Sequence, residues 1–227
     1  LRQSYTRLAR KALVLNGRYA HARQYKRARQ QTRKLQTFLG RVKRDIERKA
    51  SVIDQELKDH LDLCERLLSQ QKNSKNKIYS IHAHEVECIS KGKAHKRYEF
   101  GVKVGVTSTH KGNWIIGVKS FPGNPYDGHT LNACLEQTER LTGQKIKDAF
   151  VDLGYRGHDH KGKTIVHIVD GRKLKKLTRY IRGLYKRRSA IEPIIGHVKN
   201  DNGMSKNWLK GEDGDMINAI LSCCGYN

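Results

Sequence analysis

The sequence predicts an α/β domain built on a mixed sheet and preceded by a basic helical arm. Three observations carry this. A stretch free of strand signals runs from Leu1 to about Lys72, with only Gly17 and Gly40 as glycines and no proline. A strictly alternating run, Tyr98-Glu-Phe-Gly-Val-Lys-Val-Gly-Val106, opens a different texture. After it come a hairpin, helix, strand, strand and helix, an order that calls for a mixed sheet.

The arm comes first. Arg, Gln, Leu and Ala dominate it, as in helices. Residues 1–44 hold 14 Lys/Arg and no Asp or Glu. After Asp45 the signs mix, and Ile53, Leu57, Leu61 and Leu68 recur at helical spacing. The reading is a helical hairpin or small bundle over 1–77. A charge run of this kind is usually a solvated face, but a block without acids repels itself until a polyanion binds.

The second part, 78–227, reads as the folded core. In the alternating run, Tyr98, Phe100, Val102, Val104 and Val106 share one face of a half-buried strand. Trp114–Phe121 is a second strand, joined to the first by the turn-forming His110-Lys-Gly-Asn. Pro122-Gly-Asn-Pro-Tyr-Asp-Gly128 breaks the pattern, with Asp127 placed to cap the next helix. Leu131, Cys134, Leu135, Thr138 and Leu141 mark that helix as amphipathic, and it ends at Gly143. Asp148–Leu153 and Thr164–Val169 are the third and fourth strands. Residues 171–191 carry nine Lys/Arg and no acid, and a helix follows through Ile195 and Val198.

Composition limits the function. The chain has 227 residues, 46 Lys/Arg against 22 Asp/Glu, and a net charge of +24. Such a surface seeks a polyanion, with nucleic acid ahead of an anionic membrane. No apolar run approaches the roughly 20 residues that span a bilayer. No apolar signal segment opens the sequence, and it begins with Leu rather than Met, as a fragment or processed product does. Five scattered cysteines with no C-x-x-C fit a reducing cytosol and argue against a disulfide framework.

Two acids stand where chemistry is expected. Asp152 ends a short strand just before Gly154, and open α/β sheets place sites at strand C-termini. Its bland role is to cap the next turn. Glu192 lies in Tyr185-Lys-Arg-Arg-Ser-Ala-Ile-Glu-Pro-Ile-Ile-Gly-His-Val-Lys199. Ser189-x-x-Glu192 is also a capping box, which gives Glu192 a purely structural alternative. On one continuous helix Tyr185, Arg188, Glu192 and Lys199 fall at roughly 0°, −60°, −20° and −40°, a single narrow arc. Ile191, Ile194, Ile195 and Val198 take the neighbouring arc, toward the core. A carboxylate flanked by cations suits a metal-bound phosphodiester, Glu on the ion and Arg and Lys on phosphate oxygens. His82-x-His84 and His158-Asp-His160 have metal-like spacing, but no cysteines stand at zinc-finger spacing beside them.

Asp152 in Phe-Val-Asp-Leu-Gly-Tyr-Arg-Gly, followed by Tyr185-x2-Arg-x3-Glu-x6-Lys199, resembles the bacterial insertion-sequence DDE transposases, in the branch with a Y-R-E-K signature. Glu87–Ala94, Tyr98–Lys103, Gly123–Leu131 and Leu209–Ala219 are similar to the same family. The resemblance implies a ribonuclease H-like sheet with a helical insertion. It implies Mg²⁺-dependent DNA cleavage at element ends and strand transfer to a target, using two ions, with Mn²⁺ as a substitute. It makes Asp152 and Glu192 the second and third acids. Arg188 and Lys199 become phosphate contacts, and Tyr185 a DNA contact near the cut strand. The partner it implies is double-stranded DNA, both transposon ends and target, engaged by a homodimer in the cytoplasm at the bacterial nucleoid and not by a membrane protein. The family's first acid lies on a first strand ahead of the insertion. No such strand is legible upstream of Tyr98, so the chain reads as a poorly active, N-terminally truncated member. The competing function is a non-catalytic basic nucleic-acid-binding protein.

Overall fold

The computed structural model describes residues 3–71, 73–90, 98–170 and 177–227. They form two compact units, Leu1–Ile78 and Tyr79–Asn227.

The first unit is helical. Helices α1 (Thr6–His21) and α2 (Tyr25–Lys49) make an antiparallel hairpin, closed by Arg23 in the left-handed region at φ 56°. Small buried residues, Ala12 and Ala28, let the helices approach. Tyr5 stacks on Phe38 at 5.0 Å, and Asn16 donates to Ala28 O at 2.8 Å, one contact near each end. Helix α3 (Gln55–Ser69) begins at Asp54, whose carboxylate accepts from Leu57 N at 2.8 Å. It returns along α2, with Glu65 on Lys43 at 3.1 Å. The Gln70 side chain then brackets Ile78, accepting from its N–H at 2.8 Å and donating to its carbonyl at 3.2 Å.

Among its described residues the second unit holds six strands. Strands β1 (Glu87–Ser90) and β2 (Tyr98–Gly101) pair antiparallel, as do β3 (Lys103–Ser108) and β4 (Ile115–Phe121). After helix α4 (Asp127–Thr142), strands β5 (Asp148–Val151) and β6 (Ile165–Ile168) pair in parallel. Helices α5 (Arg179–Arg188), α6 (Ile191–Asn200) and α7 (Gly211–Tyr226) complete it.

The β3–β4 hairpin is the organising layer. On one side Ile194 and Val198 of α6 and Ala219 and Cys223 of α7 close on Ile115 and Val118, with Val104 and Val106 packed against them. On the other side α4 buries Leu131, Cys134, Leu135 and Thr138. Two glycines permit that approach. A Cβ on Gly105 would lie 2.6 Å from Cys134 Sγ, and one on Gly117 would lie 2.5 Å from Thr138 Oγ1. Helix α4 stops at Gly143, left-handed at φ 66°, where the sequence places its end.

Three expectations are corrected. The alternating run is not one strand: Gly101, at φ 151°, breaks it, β2 turns away to β1, and Tyr98 and Phe100 are 50% and 63% exposed. Only Val104 and Val106 of that face reach the core. The described strands also form three two-stranded sheets rather than one continuous sheet. A cavity of about 710 Å³ lies beside β3 and β5, walled further by α4, α5 and α6. Asp127 does not cap α4. Tyr126 holds the cap position, and the Asp127 carboxylate reaches back to Lys103 Nζ at 2.8 Å.

Candidate active site

Asp152 follows the last residue of β5 in an extended conformation, and its carboxylate accepts from Gly154 N at 2.9 Å. It thereby caps the short 3₁₀ turn Leu153–Tyr155 with one oxygen and leaves the other for Arg188. Glycine at 154 leaves room for two carboxylates. A Cβ there would lie 2.6 Å from Asp127 Oδ2 and 3.0 Å from Asp152 Oδ1, so two carboxylates close on one bare Cα. Behind them the Tyr155 phenol is pushed above its ordinary range, chiefly by burial; a hydrogen bond with Thr130 opposes the rise, and the Cys134, Asp127 and Asp152 side chains add to it.

The opposing wall is the α5–α6 junction. Ser189 and Ala190 both stay in the right-handed region, so the chain tightens there instead of restarting from an extended cap. The capping box is therefore absent: α6 has no side-chain cap, and Glu192 turns to Arg188. Arg188 donates to Glu192 Oε1 at 3.0 Å and to Asp152 Oδ2 at 3.1 Å. Its side chain is 19% exposed, whereas those of Asp152 and Glu192 are 47% and 67% exposed. A mostly buried guanidinium thus gathers two carboxylates that remain open to water.

The other expected residues go elsewhere. Tyr185 sits edge-on to Phe150 at 5.7 Å and to His167 at 6.3 Å, inside an aromatic group in which Phe150 stacks on His167 at 4.6 Å. Lys199 Nζ lies 3.4 Å from Glu99 Oε2 on β2, not on either acid. The single arc drawn through Tyr185, Arg188, Glu192 and Lys199 is split by the helix junction. Ile194 and Val198 are buried as their spacing implies, while Ile191 and Ile195 line the cavity.

Some contributors escaped the sequence reading. Arg187, next to Arg188, donates from Nε and Nη2 to His110 O at 3.1 and 2.9 Å and ties α5 to the β3–β4 turn. Lys103 bonds both Asp127 and the Pro125 carbonyl and so fixes the loop beside Gly154. Both contacts link residues far apart in sequence, which no local pattern encodes.

Among the described residues no group of three or more His, Cys, Asp or Glu side chains converges on a metal-sized site. His82 and His84 are exposed, and His160 Nδ1 pairs with Asn132 Oδ1 at 2.5 Å. Asp152 and Glu192 are instead a pair of hard oxygen donors, open to solvent, and Mg²⁺ commonly takes only one or two carboxylates and keeps its waters. That donor set fits such an ion. No described helix is long and apolar enough to cross a membrane.

Comparison with known proteins points to the same segment. A family model described as "Transposase DDE domain" matches residues 69–227. Among curated proteins, the small ribosomal subunit protein uS3c of Gracilaria tenuistipitata is 27% identical over 128 residues, 56% of this chain and 56% of that protein. Its counterpart in Gracilaria tenuistipitata var. liui is 27% identical over 128 residues, 56% of this chain and 54% of that protein. The chain thus spans about half the length of the curated relatives it matches. No solved structure matches it.

Proposed function

Because the chain belongs to the transposase DDE domain family, we propose that it is the ion-binding core of an insertion-sequence transposase, cutting DNA at element ends and joining them to a target. The observation that carries this reading is the single guanidinium of Arg188 shared by Asp152 and Glu192. Two acids from separate elements meet at one cation, as a site built to concentrate positive charge requires. Asp152 and Glu192 would hold Mg²⁺, or Mn²⁺ in its place, and two bound ions would supply Lewis-acid stabilisation of the attacking and leaving oxygens.

The remaining roles belong to the chain itself. Arg188 holds the two carboxylates at one place and, with the acids neutralised by ions, is free to pair with a phosphate oxygen, for which its planar fork is suited. Tyr185 lines the approach to the cut strand, and Lys199 supplies a second phosphate contact. Residues 78–227 form a ribonuclease H-like core, and residues 1–77 an insertion that adds positive charge for double-stranded DNA. In this reading a further strand carrying the family's first acid would enter the cavity beside β3 and β5. Two copies act together on paired ends in the bacterial nucleoid.

The test is direct. A strand of alternating apolar residues ending in Asp, fused ahead of the chain, is expected to confer Mg²⁺-dependent nicking of supercoiled DNA, and Asp152→Asn or Glu192→Gln to abolish it. No nicking by the fusion would overturn the catalytic reading. The similarity to a ribosomal protein favours a second reading, a basic nucleic-acid-binding protein without catalysis. Under it the same substitutions leave nucleic-acid affinity unchanged or raise it, because an acid near phosphates repels them.

A further inference from the structure

We propose that the solvent face of α2 is a dedicated docking strip for the phosphate backbone of duplex DNA. This deepens the DNA reading but rests on different residues from the acid pair. At about 100° per residue, Lys26, Arg29, Arg33 and Lys34 fall within roughly 140° of the helix surface, together with Gln30 and Thr37. Ala28 and Gln31, on the opposite side, are buried against the hairpin partner. From Lys26 to Lys34 the strip runs about 12 Å at 1.5 Å per residue.

Where acids pair with bases in this unit decides the matter. The first carboxylate of the chain is Asp45. Around it several cations are matched: Lys43 by Glu47 and Glu65, Arg48 and Lys49 by Asp45. Before it, Arg27 and Arg41 lie over the Tyr19 and Tyr5 rings at 5.9 Å and are spent on packing. Lys26, Arg29, Arg33 and Lys34 are exposed, and no carboxylate among the described residues pairs with them. A solvated helix face normally mixes signs; this one keeps only cations and hydrogen-bonding amides or hydroxyls. It offers no apolar side chain to enter a lipid surface. An α-helix of about 10–12 Å matches the major groove, about 12 Å wide, so cations on its outward face reach both flanking backbones. Four such contacts neutralise up to four phosphates and release their counterions.

The experiment is a salt titration in EDTA, which keeps metal chemistry out and so separates this proposal from the catalytic one. Binding to a mixed-sequence duplex DNA of about 30 base pairs is followed by fluorescence anisotropy from about 50 to 200 mM salt. The Lys26→Ala, Arg29→Ala, Arg33→Ala, Lys34→Ala variant is compared with a control of equal charge loss at the exposed loop residues Lys111, Lys161, Lys163 and Lys210. The strip variant is expected to keep its helical circular dichroism and to lose about three to four from the slope of log affinity against log salt, near 0.9 per contact. The control is expected to lose less than half of that. Equal losses in the two variants would show a general effect of net charge and overturn the strip. Tighter binding of duplex RNA than of DNA, lost in the strip variant, would also overturn the assignment to DNA.

Discussion

The guanidinium of Arg188 ties Asp152 Oδ2, 3.1 Å away beyond the end of β5, to Glu192 Oε1, 3.0 Å away in the first turn of α6. Both acids are largely open to water, so screening limits each pair to about 1 kcal/mol or less. Arg188→Gln is therefore expected to lower the melting temperature by only about 2–4 °C. It also leaves two carboxylates facing one another without their shared cation. Added Mg²⁺ should then raise the melting temperature of Arg188→Gln more than that of the parent, and Glu192→Gln should remove the difference. Equal Mg²⁺ responses in all three proteins would mean that the acids do not act on one ion.

Gly117 tests the layer beneath. Its missing Cβ leaves room for Thr138 Oγ1, 2.5 Å from where that carbon would stand, and Thr138 is 1% exposed. The hydroxyl cannot swing away without giving up its 2.8 Å bond to Cys134 O. Gly117→Ala should destabilise by about 1–3 kcal/mol through overpacking. Thr138→Ala in the same chain should recover part of that loss, so the double variant is more stable than the sum of the single effects allows. Denaturant melts of the four proteins give the coupling, and strict additivity would refute the contact.

What the sequence made legible was local. The β3–β4 hairpin, the body of α4 and its stop at Gly143 were readable from alternation, helical spacing and a glycine suited to a left-handed cap. The short third and fourth strands were readable from their apolar runs, the third ended by Gly154. Tyr98 and Phe100 were not, because alternation identifies a face without saying what covers it; Gly101 redirects β2 so that Phe100 instead packs near Tyr79 at 5.5 Å. At the site, the two acids stood out by position, but their link through Arg188 spans 36 residues on one side and four on the other. The capping-box alternative assumed an extended Ser189, and the helical backbone there removes it. Asp127 and Lys103 illustrate the same limit: a cap-like residue took a partner from another element.

Asn227 sits against Ile115 at the start of β4. Its side chain accepts from Ile115 N at 2.9 Å and donates to Ile115 O at 2.8 Å, in the manner of a neighbouring strand. Ile115 is 7% exposed, so water does not readily replace either bond. Asn227→Ala should cost about 1–3 kcal/mol by leaving buried backbone groups unpaired. Hydrogen exchange at the Ile115 amide should accelerate ahead of the rest of β4. Unchanged exchange at that amide would show the clamp to be dispensable.

The cysteines give a pH-dependent prediction. Burial pushes the thiols of Cys134 and Cys223 up to about 11, opposed at Cys134 by the charge of Lys119 and reinforced at Cys223 by Cys224. Each folded thiol holds its proton more tightly than an unfolded one does. This contribution to stability is therefore complete below about pH 9 and fades as the pH climbs from there toward 11. Since the thiolate is the nucleophile, iodoacetamide at about pH 8 should modify the exposed Cys224 in the native chain and spare Cys134 and Cys223. Mass mapping after a short pulse distinguishes the sites. In denaturant all three should react at similar rates, because the protection comes from the fold and not from neighbouring sequence. Native labelling of Cys134 as fast as Cys224 would mean that α4 does not stay seated on β3, and the packing inferred from Gly105 and Gly117 would fall with it.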